Sequence, residues 1–340
     1  GNRPGAGEGM TMSQIWGVIK RTLSITEVNR TILLLLITLV IYLVNPFFYT
    51  AANLKLIMVW GSIFSLMVLG EMLYLIPGGM DLAFGGVICI VNILAAILIK
   101  NYHVNTWVAI IAVLALGFLI GLATGVFANY FSPPFRYILP VFIFTLMLSF
   151  VLTGIGRIIT QAFPVYGLGK TYSMISRTMF GPIPIVFVYL VVVFGVFLFF
   201  FYLRPFGWRL YAVGLDDVVA RKAGVLVHRV RLTACAVGSL IQAFAGILIG
   251  SYLDVGSVQI GPPYLLNIIA GAFIGGISLA GGEGSPFGAI LGGFTVYLIE
   301  NIIVILNISA FWKEVVIGLF LLSFVVVEFY RRRRAASVLL

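Results

Sequence analysis

Five polar side chains interrupt long apolar runs: Glu71, Asn92, Arg157, Gln242 and Glu300. A charge at the centre of a bilayer costs about 2.5 to 3.5 kcal/mol on insertion scales, so each needs a partner or a purpose. A proton-coupled carrier shows several acidic groups near mid-membrane, and Glu71 is the one fair candidate. Asp81, Asp254, Glu283 and Glu314 fall at loops or at the ends of apolar runs. An interhelical hydrogen bond serves equally for Glu71 and Gln242, and Glu300 can simply reach an interface.

Other chemistry is poorly supported. Residues 167–171 read GLGKT, the end of a phosphate-loop pattern. The full pattern needs a glycine four residues before Gly169, where Pro164 stands. No strand is expected before it, and it falls on the predicted outer face, where ATP is absent. No HExxH, GxSxG or paired-cysteine pattern occurs, so catalytic and metal residues are both absent from the reading. Cys89 and Cys235 sit within apolar runs and imply helix packing rather than disulfides. His103 and His228 fall in loops on opposite faces and cannot share a metal. The chain has no ATP site, no cofactor and few buried carboxylates. It is expected to be a non-enzyme that borrows its power from another subunit.

The elements that must position these residues follow from composition. Of 340 residues, 61% are hydrophobic and 9% charged, far below the roughly 25% charge of a soluble domain. That excludes a soluble enzyme, a disulfide scaffold and a disordered regulator. Each spanning helix takes about 20 apolar residues. Candidate spans lie at 31–48, 55–77, 84–100, 106–128, 139–161, 183–203, 232–252, 264–281, 286–306 and 313–330. The expectation is therefore an all-α polytopic membrane protein with about ten transmembrane helices. The Gly/Pro-rich eighth could be broken, and eight spans with a re-entrant hairpin fit as well. Most runs are apolar all round, so periodicity cannot say which face meets lipid.

A net charge of +10 suggests nucleic acid in a soluble protein. Here it is read as the Lys/Arg excess of cytoplasmic loops, with no nucleic-acid partner. With the N-terminus inside, 15 basic residues fall on the inner face and 6 on the outer. This split puts both termini in the cytoplasm. Residues 1–12 read as a flexible tail or a remnant ahead of a natural start at Met10 or Met12, with no cleavable signal in view. Residues 13–30 read as a cytoplasmic interfacial helix against lipid, 31–330 as the transmembrane domain, and 331–340, with its RRRR, as a basic cytoplasmic tail.

The longest polar stretch between spans is 204–231. Asp216 and Asp217 open a short helix and Gly224 closes it. Small residues on one side, Ala220, Ala223 and Gly224, suit docking into another protein, although an ordinary basic loop is an equal reading from spacing alone.

Three stretches, in order, resemble the sugar-type (ribose, xylose, galactose) ABC import permeases of the branched-chain amino acid/monosaccharide permease family. They are LGEMLYLIPGGMDLAFGG at 69–86, YAVGLDDVVARKAGVLVHRVR at 211–231 and IGGISLAGGEGSPFGAILGG at 274–293. Gly78, Gly79, Asp81, Leu82 and Gly85 match in the first. Gly275, Gly276, Ser278, Leu279, Ala280, Gly281, Gly282 and Gly284 match in the last. Glu71 and Pro77 depart from the commoner pattern. The resemblance covers about residues 50 to 330. It implies a bacterial inner-membrane permease subunit for a monosaccharide or sugar-like solute, with nucleosides or branched-chain amino acids as alternatives. A secondary carrier using Glu71 is the reading from a different class.

The resemblance further implies a second permease subunit, identical or related, an external solute-binding protein, and cytoplasmic ABC ATPases that bind the ATP and Mg. The implied ATPase-coupling residues are Gly214, Asp216, Asp217, Ala220, Arg221, Ala223 and Gly224. The implied pathway or motif residues are Glu71, Gly78, Gly79, Asp81, Asn92, Gly281 and Gly282. Asp81 is read chiefly as a cap for a helix starting near Leu82. Glu71, Asn92, Tyr74, Phe144 and Gln161 could offer a sugar its carboxylate, amides and aromatic faces.

Overall fold

Thr50 accepts a hydrogen bond from the backbone N–H of Asn53 and so caps α1 (Ala51–Leu75), a helix with every residue from Gly61 onward buried. The computed structural model describes residues 31, 38–39, 45–131, 138–309, 311–319, 322–323 and 326. The expected tail, interfacial helix and basic C-terminus lie outside these residues, as do most of the first span and the end of the tenth.

After α1 the described helices are α2 (Phe84–Lys100), α3 (Thr106–Phe131), α4 (Ile138–Thr160), α5 (Lys170–Arg177) and α6 (Ile185–Leu198). They continue with α7 (Pro205–Leu215), α8 (Asp217–Lys222), α9 (Val227–Leu253), α10 (Leu265–Ile274) and α11 (Pro286–Ile305). A π-helical turn, Phe199–Leu203, extends α6. Residues 312–319 are helical as well. Among the described residues, six helices are long and apolar enough to cross a membrane: α1, α3, α4, α6 with its π turn, α9 and α11. Helix α2 has 17 residues and α10 only 10, about 15 Å at 1.5 Å per residue. The expected eighth span, 264–281, is therefore a half-length helix followed by a glycine loop.

Helix α9 is the axis. Helix α1 runs antiparallel to it, with Gly70 against Gly238 and Tyr74 against Cys235 and Ser239. Helix α3 also runs antiparallel to it: a Cβ on Gly117 would meet Ala243, on Gly121 Cys235 and Ser239, and on Gly125 Leu232. Small residues at four-residue spacing let backbones approach where lipid supplies no hydrophobic drive. Helix α2 runs parallel to α9, since Gly246 lies on Ile88 and Gly250 on Asn92. That register puts the start of α2 about half-way along α9. Helix α11 returns antiparallel along α1, where Asn53 and Asn301 exchange two side-chain hydrogen bonds of 3.1 and 2.7 Å. Helices α3, α4 and α6 keep exposed Leu, Ile, Val and Phe along much of their lengths and form the outward-facing apolar layer of the chain.

Two-residue strands β1 (Val165–Tyr166) and β4 (Val255–Gly256) pair antiparallel across the end of the bundle where α9 finishes. A second small hairpin joins β2 (Met179–Phe180) to β3 (Ile183–Pro184). Thus a strand does precede GLGKT, contrary to expectation. Its two residues pair only with the two residues of β4, and Gly169, at φ +98°, merely opens the exposed start of α5.

Candidate functional site

The site begins where α1 ends. Gly78 takes φ +86°, a conformation that favours glycine, and the backbone N–H groups of Gly78 and Gly79 donate back to Leu75 and Tyr74. Residues 76–83 thus break the path between α1 and α2, and the break carries Asp81 into the buried interior. Asp81 Oδ1 accepts from the backbone N–H of Ala83 at 2.7 Å. The helix itself starts at Phe84 with Ala83 as its cap residue, so Asp81 stabilises the approach to α2 from just outside it.

Glu71 closes the same turn from α1: its Oε1 accepts from the backbone N–H of Asp81 at 3.1 Å. Thr145 of α4 accepts from the N–H of Leu82 at 3.0 Å. These bonds satisfy backbone groups that the break exposes inside the bundle, where each unpaired group is costly. Gln242 of α9 faces Asp81, although Glu71 Oε2, Asp81 Oδ2 and both Gln242 amide atoms make no hydrogen bond within 3.5 Å. Tyr74 completes the cluster, its hydroxyl donating to Cys235 O or sharing a proton with Ser239. Glu71, Asp81, Asn92 and Gln242 are all fully buried.

Asn92 stands apart from this cluster. Its amide donates to Val255 O at 3.1 Å and accepts from the N–H of Ser257 at 2.8 Å, pinning the irregular segment after α9 against α2. Tyr74 is buried within the cluster, whereas Phe144 stacks on Phe127 and Gln161 is exposed at φ +52° at the end of α4. The five side chains considered for sugar contact are not brought together.

A second break, residues 275–285, separates α10 from α11. Gly276, Gly281, Gly282 and Gly284 all have positive φ, between 74° and 139°. Ser285 then caps α11 through the N–H of Gly288, at 2.9 Å, with Pro286 behind it. The two breaks touch: Gly282 N–H donates to Ile76 O at 2.8 Å, and a Cβ on Gly281 would lie 2.9 Å from Gly78 backbone.

The end of α7 fits into the same point. A Cβ on Gly214 would lie 1.8 Å from Ile76 O and 2.5 Å from Gly282 N, while Tyr211 Oη donates to Gly284 O at 2.6 Å. Three stretches separated by some 60 to 140 positions in sequence therefore meet in one backbone junction of Gly78, Gly214, Gly281 and Gly282.

Helix α8 hangs directly from this junction. Asp216 caps it, its Oδ1 accepting from the N–H groups of Val218 and Val219, each at 2.9 Å, and Gly224 follows at φ +83°. Asp217 turns inward and pairs with Arg231 of α9 at 3.2 Å and with the half-exposed Arg221 at 3.1 Å. Ala220 is also buried within the chain. Outward, α8 presents Val219, with Leu215 and Leu226 beside it, each half or more exposed, together with Arg221, Lys222, Ala223 and Gly224. The outward face thus carries large apolar and basic side chains beside Ala223 and Gly224, and Ala220, expected there from sequence, is turned inward.

Sequence reasoning passed over the Asn53–Asn301 pair, the Arg231 partner of Asp217, and the α3–α9 seam. The seam had a legible signal in Gly117, Gly121 and Gly125 at intervals of four. The two pairings had none: Asn53 and Asn301 are 248 positions apart, and Asp217 and Arg231, 14 apart, lie on two different helices whose packing no spacing rule gives. Glu300 pairs with Lys313 at 2.6 Å and accepts a hydrogen bond from Asn267. Arg157 is exposed on α4.

A bundle of apolar helices, interrupted by two glycine-bearing breaks that meet a short surface helix, defines a multi-pass membrane protein. The chain belongs to the family described as branched-chain amino acid transport system / permease component, whose model matches residues 53–325. It is similar to the ribose import permease protein RbsC of Escherichia coli K12, 27% identical over 308 residues covering 89% of this chain and 93% of that protein. The RbsC of Bacillus subtilis 168 is 28% identical over 297 residues, 87% and 90% of the two chains. The autoinducer 2 import system permease protein LsrC of E. coli O157:H7 is 26% identical over 304 residues, 88% and 87%. No solved structure gives a significant match. Family and helices together make this a multi-pass inner-membrane protein.

Proposed function

We propose that the chain is the membrane subunit of an ATP-driven importer for a monosaccharide or sugar-like solute, itself hydrolysing nothing. The similarity to permeases named for ribose and for autoinducer 2 supports the solute class. The 15-to-6 division of basic residues supports ten spans with both termini in the cytoplasm. An external binding protein delivers the solute, a second permease subunit completes the pathway, and separate ATPases bind ATP and Mg.

The observation that carries the mechanism is the position of α8 on the glycine junction. An ATPase that grips Val219, Leu215 and Leu226 moves α8. The Asp217–Arg231 pair passes that movement to α9, and Gly214 passes it to both breaks by backbone contact. Breaks in spanning helices are hinge points because their backbone groups already bond outside a helical ladder. In this reading Gly78, Gly79, Asp81, Gly281 and Gly282 form the moving part of the gate, Glu71 ties it to α1, and Asn92, away from the gate, holds the segment after α9 against α2. Gly214, Asp216, Asp217, Ala220, Arg221, Ala223 and Gly224 shape or anchor the coupling element. Burial of Glu71 on an Asp81 hydrogen bond gives no support to an ion-driven carrier.

The test is uptake of labelled ribose by vesicles holding the full chain, its ATPase and its binding protein. Uptake should require ATP, and Val219→Glu should abolish it while leaving the unfolding temperature unchanged. Uptake driven by a proton or sodium gradient without ATPase would overturn the reading.

A further inference from the structure

Between α6, α7 and α9 the bundle surface opens into a recess of about 280 Å³ whose exposed lining is entirely apolar. Leu73, Phe197, Phe201, Phe206, Thr233 and Val237 form its walls. The π turn at Phe199–Leu203 shapes one side; such turns widen a helix and turn its side chains out of register with the turn before. Phe201 is held from behind by Phe197, Phe206 and Tyr211, with ring centroids 5.6 to 6.1 Å apart. The recess is therefore walled by packed rings.

Exposed arginines stand close in the chain to lining residues on each of two helices. Arg204 follows the π turn directly, exposed, with its guanidinium 5.0 Å from the Phe199 ring centroid. Arg229, also exposed, lies one turn before Thr233 on α9, and its carbonyl accepts from the Thr233 hydroxyl at 2.8 Å. Exposed Trp208 and Arg209 sit on α7, the guanidinium 5.6 Å from the indole. Tryptophan and arginine at a helix end mark headgroup depth, which puts the recess at acyl-chain depth in the same leaflet.

We propose that this recess is a binding site for one anionic phospholipid, an acyl chain filling the slot and the phosphate resting between Arg204 and Arg229. Charge complementarity selects the occupant. A zwitterionic lipid fills the slot equally well, but its ammonium offsets the phosphate charge that two guanidiniums would meet, and basic pockets between spanning helices on one side favour net-anionic headgroups. A second copy of this chain would have to bring a negative group to the same rim.

The test uses the full chain, extracted from vesicles of phosphatidylcholine alone or mixed with phosphatidylglycerol. Retained lipid is counted by native mass spectrometry. One phosphatidylglycerol per chain should be retained in preference to phosphatidylcholine. Arg204→Gln and Arg229→Gln should each weaken retention about fivefold, taking ~1 kcal/mol per arginine near a membrane surface. Thr233→Trp, which fills the slot, should abolish it. Lys170→Gln, at the opposite end, should leave it unchanged, and each variant's unfolding temperature reports whether it is folded. Equal retention of both lipids, or unchanged retention in the arginine and tryptophan variants, overturns the proposal. So does Thr233→Cys if it cross-links to a second copy with phosphatidylglycerol present.

Discussion

Asp217 accepts a hydrogen bond from Arg231 at 3.2 Å, and both side chains are more than nine-tenths buried. The pair ties the surface helix α8 to the first turns of the axial helix α9, 14 positions further on. Removing one member of a buried pair strands the other's charge, at a cost of about 3 to 5 kcal/mol. Asp217→Ala should therefore lower the unfolding temperature in detergent more than Arg231→Met, because Arg221 still neutralises Asp217 in the second variant. Equal losses would show that the exposed Arg221 does nothing to neutralise Asp217 once Arg231 is gone.

Gly214 separates a steric effect from a generic loss of flexibility. A methyl there meets the backbone of Ile76 and Gly282, which cannot rotate away. Overpacking of this kind costs about 1 to 3 kcal/mol. Gly214→Ala should lose uptake and part of its thermal stability, whereas Gly195→Ala on α6, with nothing within 4 Å, should lose neither.

Glu71 serves here as an acceptor for a backbone N–H. Gln retains an acceptor oxygen, so Glu71→Gln should unfold within about 1 kcal/mol of the native chain. Glu71→Leu strands the N–H of Asp81 and should cost about 1 to 3 kcal/mol. Asp81→Asn, which still reaches Ala83, should likewise be tolerated better than Asp81→Leu. Equal loss in Asn and Leu variants would assign the role to the charge itself. Denaturant unfolding in detergent distinguishes these outcomes.

Asn92 holds the segment after α9 with one donor and one acceptor. Asn92→Leu should release residues 255–257, read as faster backbone hydrogen exchange there than in α3. Unchanged exchange would mean that the β1–β4 pairing alone holds the segment.

Much of this architecture is legible in the sequence because apolar length is set by membrane thickness. Runs at 55–77, 106–128, 139–161, 183–203, 232–252 and 286–306 coincide with the six spanning helices to within a few residues. Asp216 and Gly224 likewise bracket α8, since capping and chain reversal are local chemistry. The run at 264–281 misleads because a half-length helix followed by a glycine loop has the composition of a span. Glycine in a spanning helix marks either close packing or an interruption, and Gly271 and Gly276 show both within one segment. Gly271 packs on Gly292, whereas Gly276 turns the chain at φ +75°.

The sequence by itself determined that the chain crosses a membrane, where its long helices lie, and which three glycine-bearing stretches are unusual. Only the tertiary structure decided that α1 and α9 are interior while α3, α4 and α6 face outward. Lipid tails are as apolar as leucine, so an inner and an outer helix carry the same residues. It also decided that Gly78, Gly214, Gly281 and Gly282 meet at one point. A missing Cβ announces that something approaches closely, but which backbone fills the space depends on the packing of helices distant in the chain.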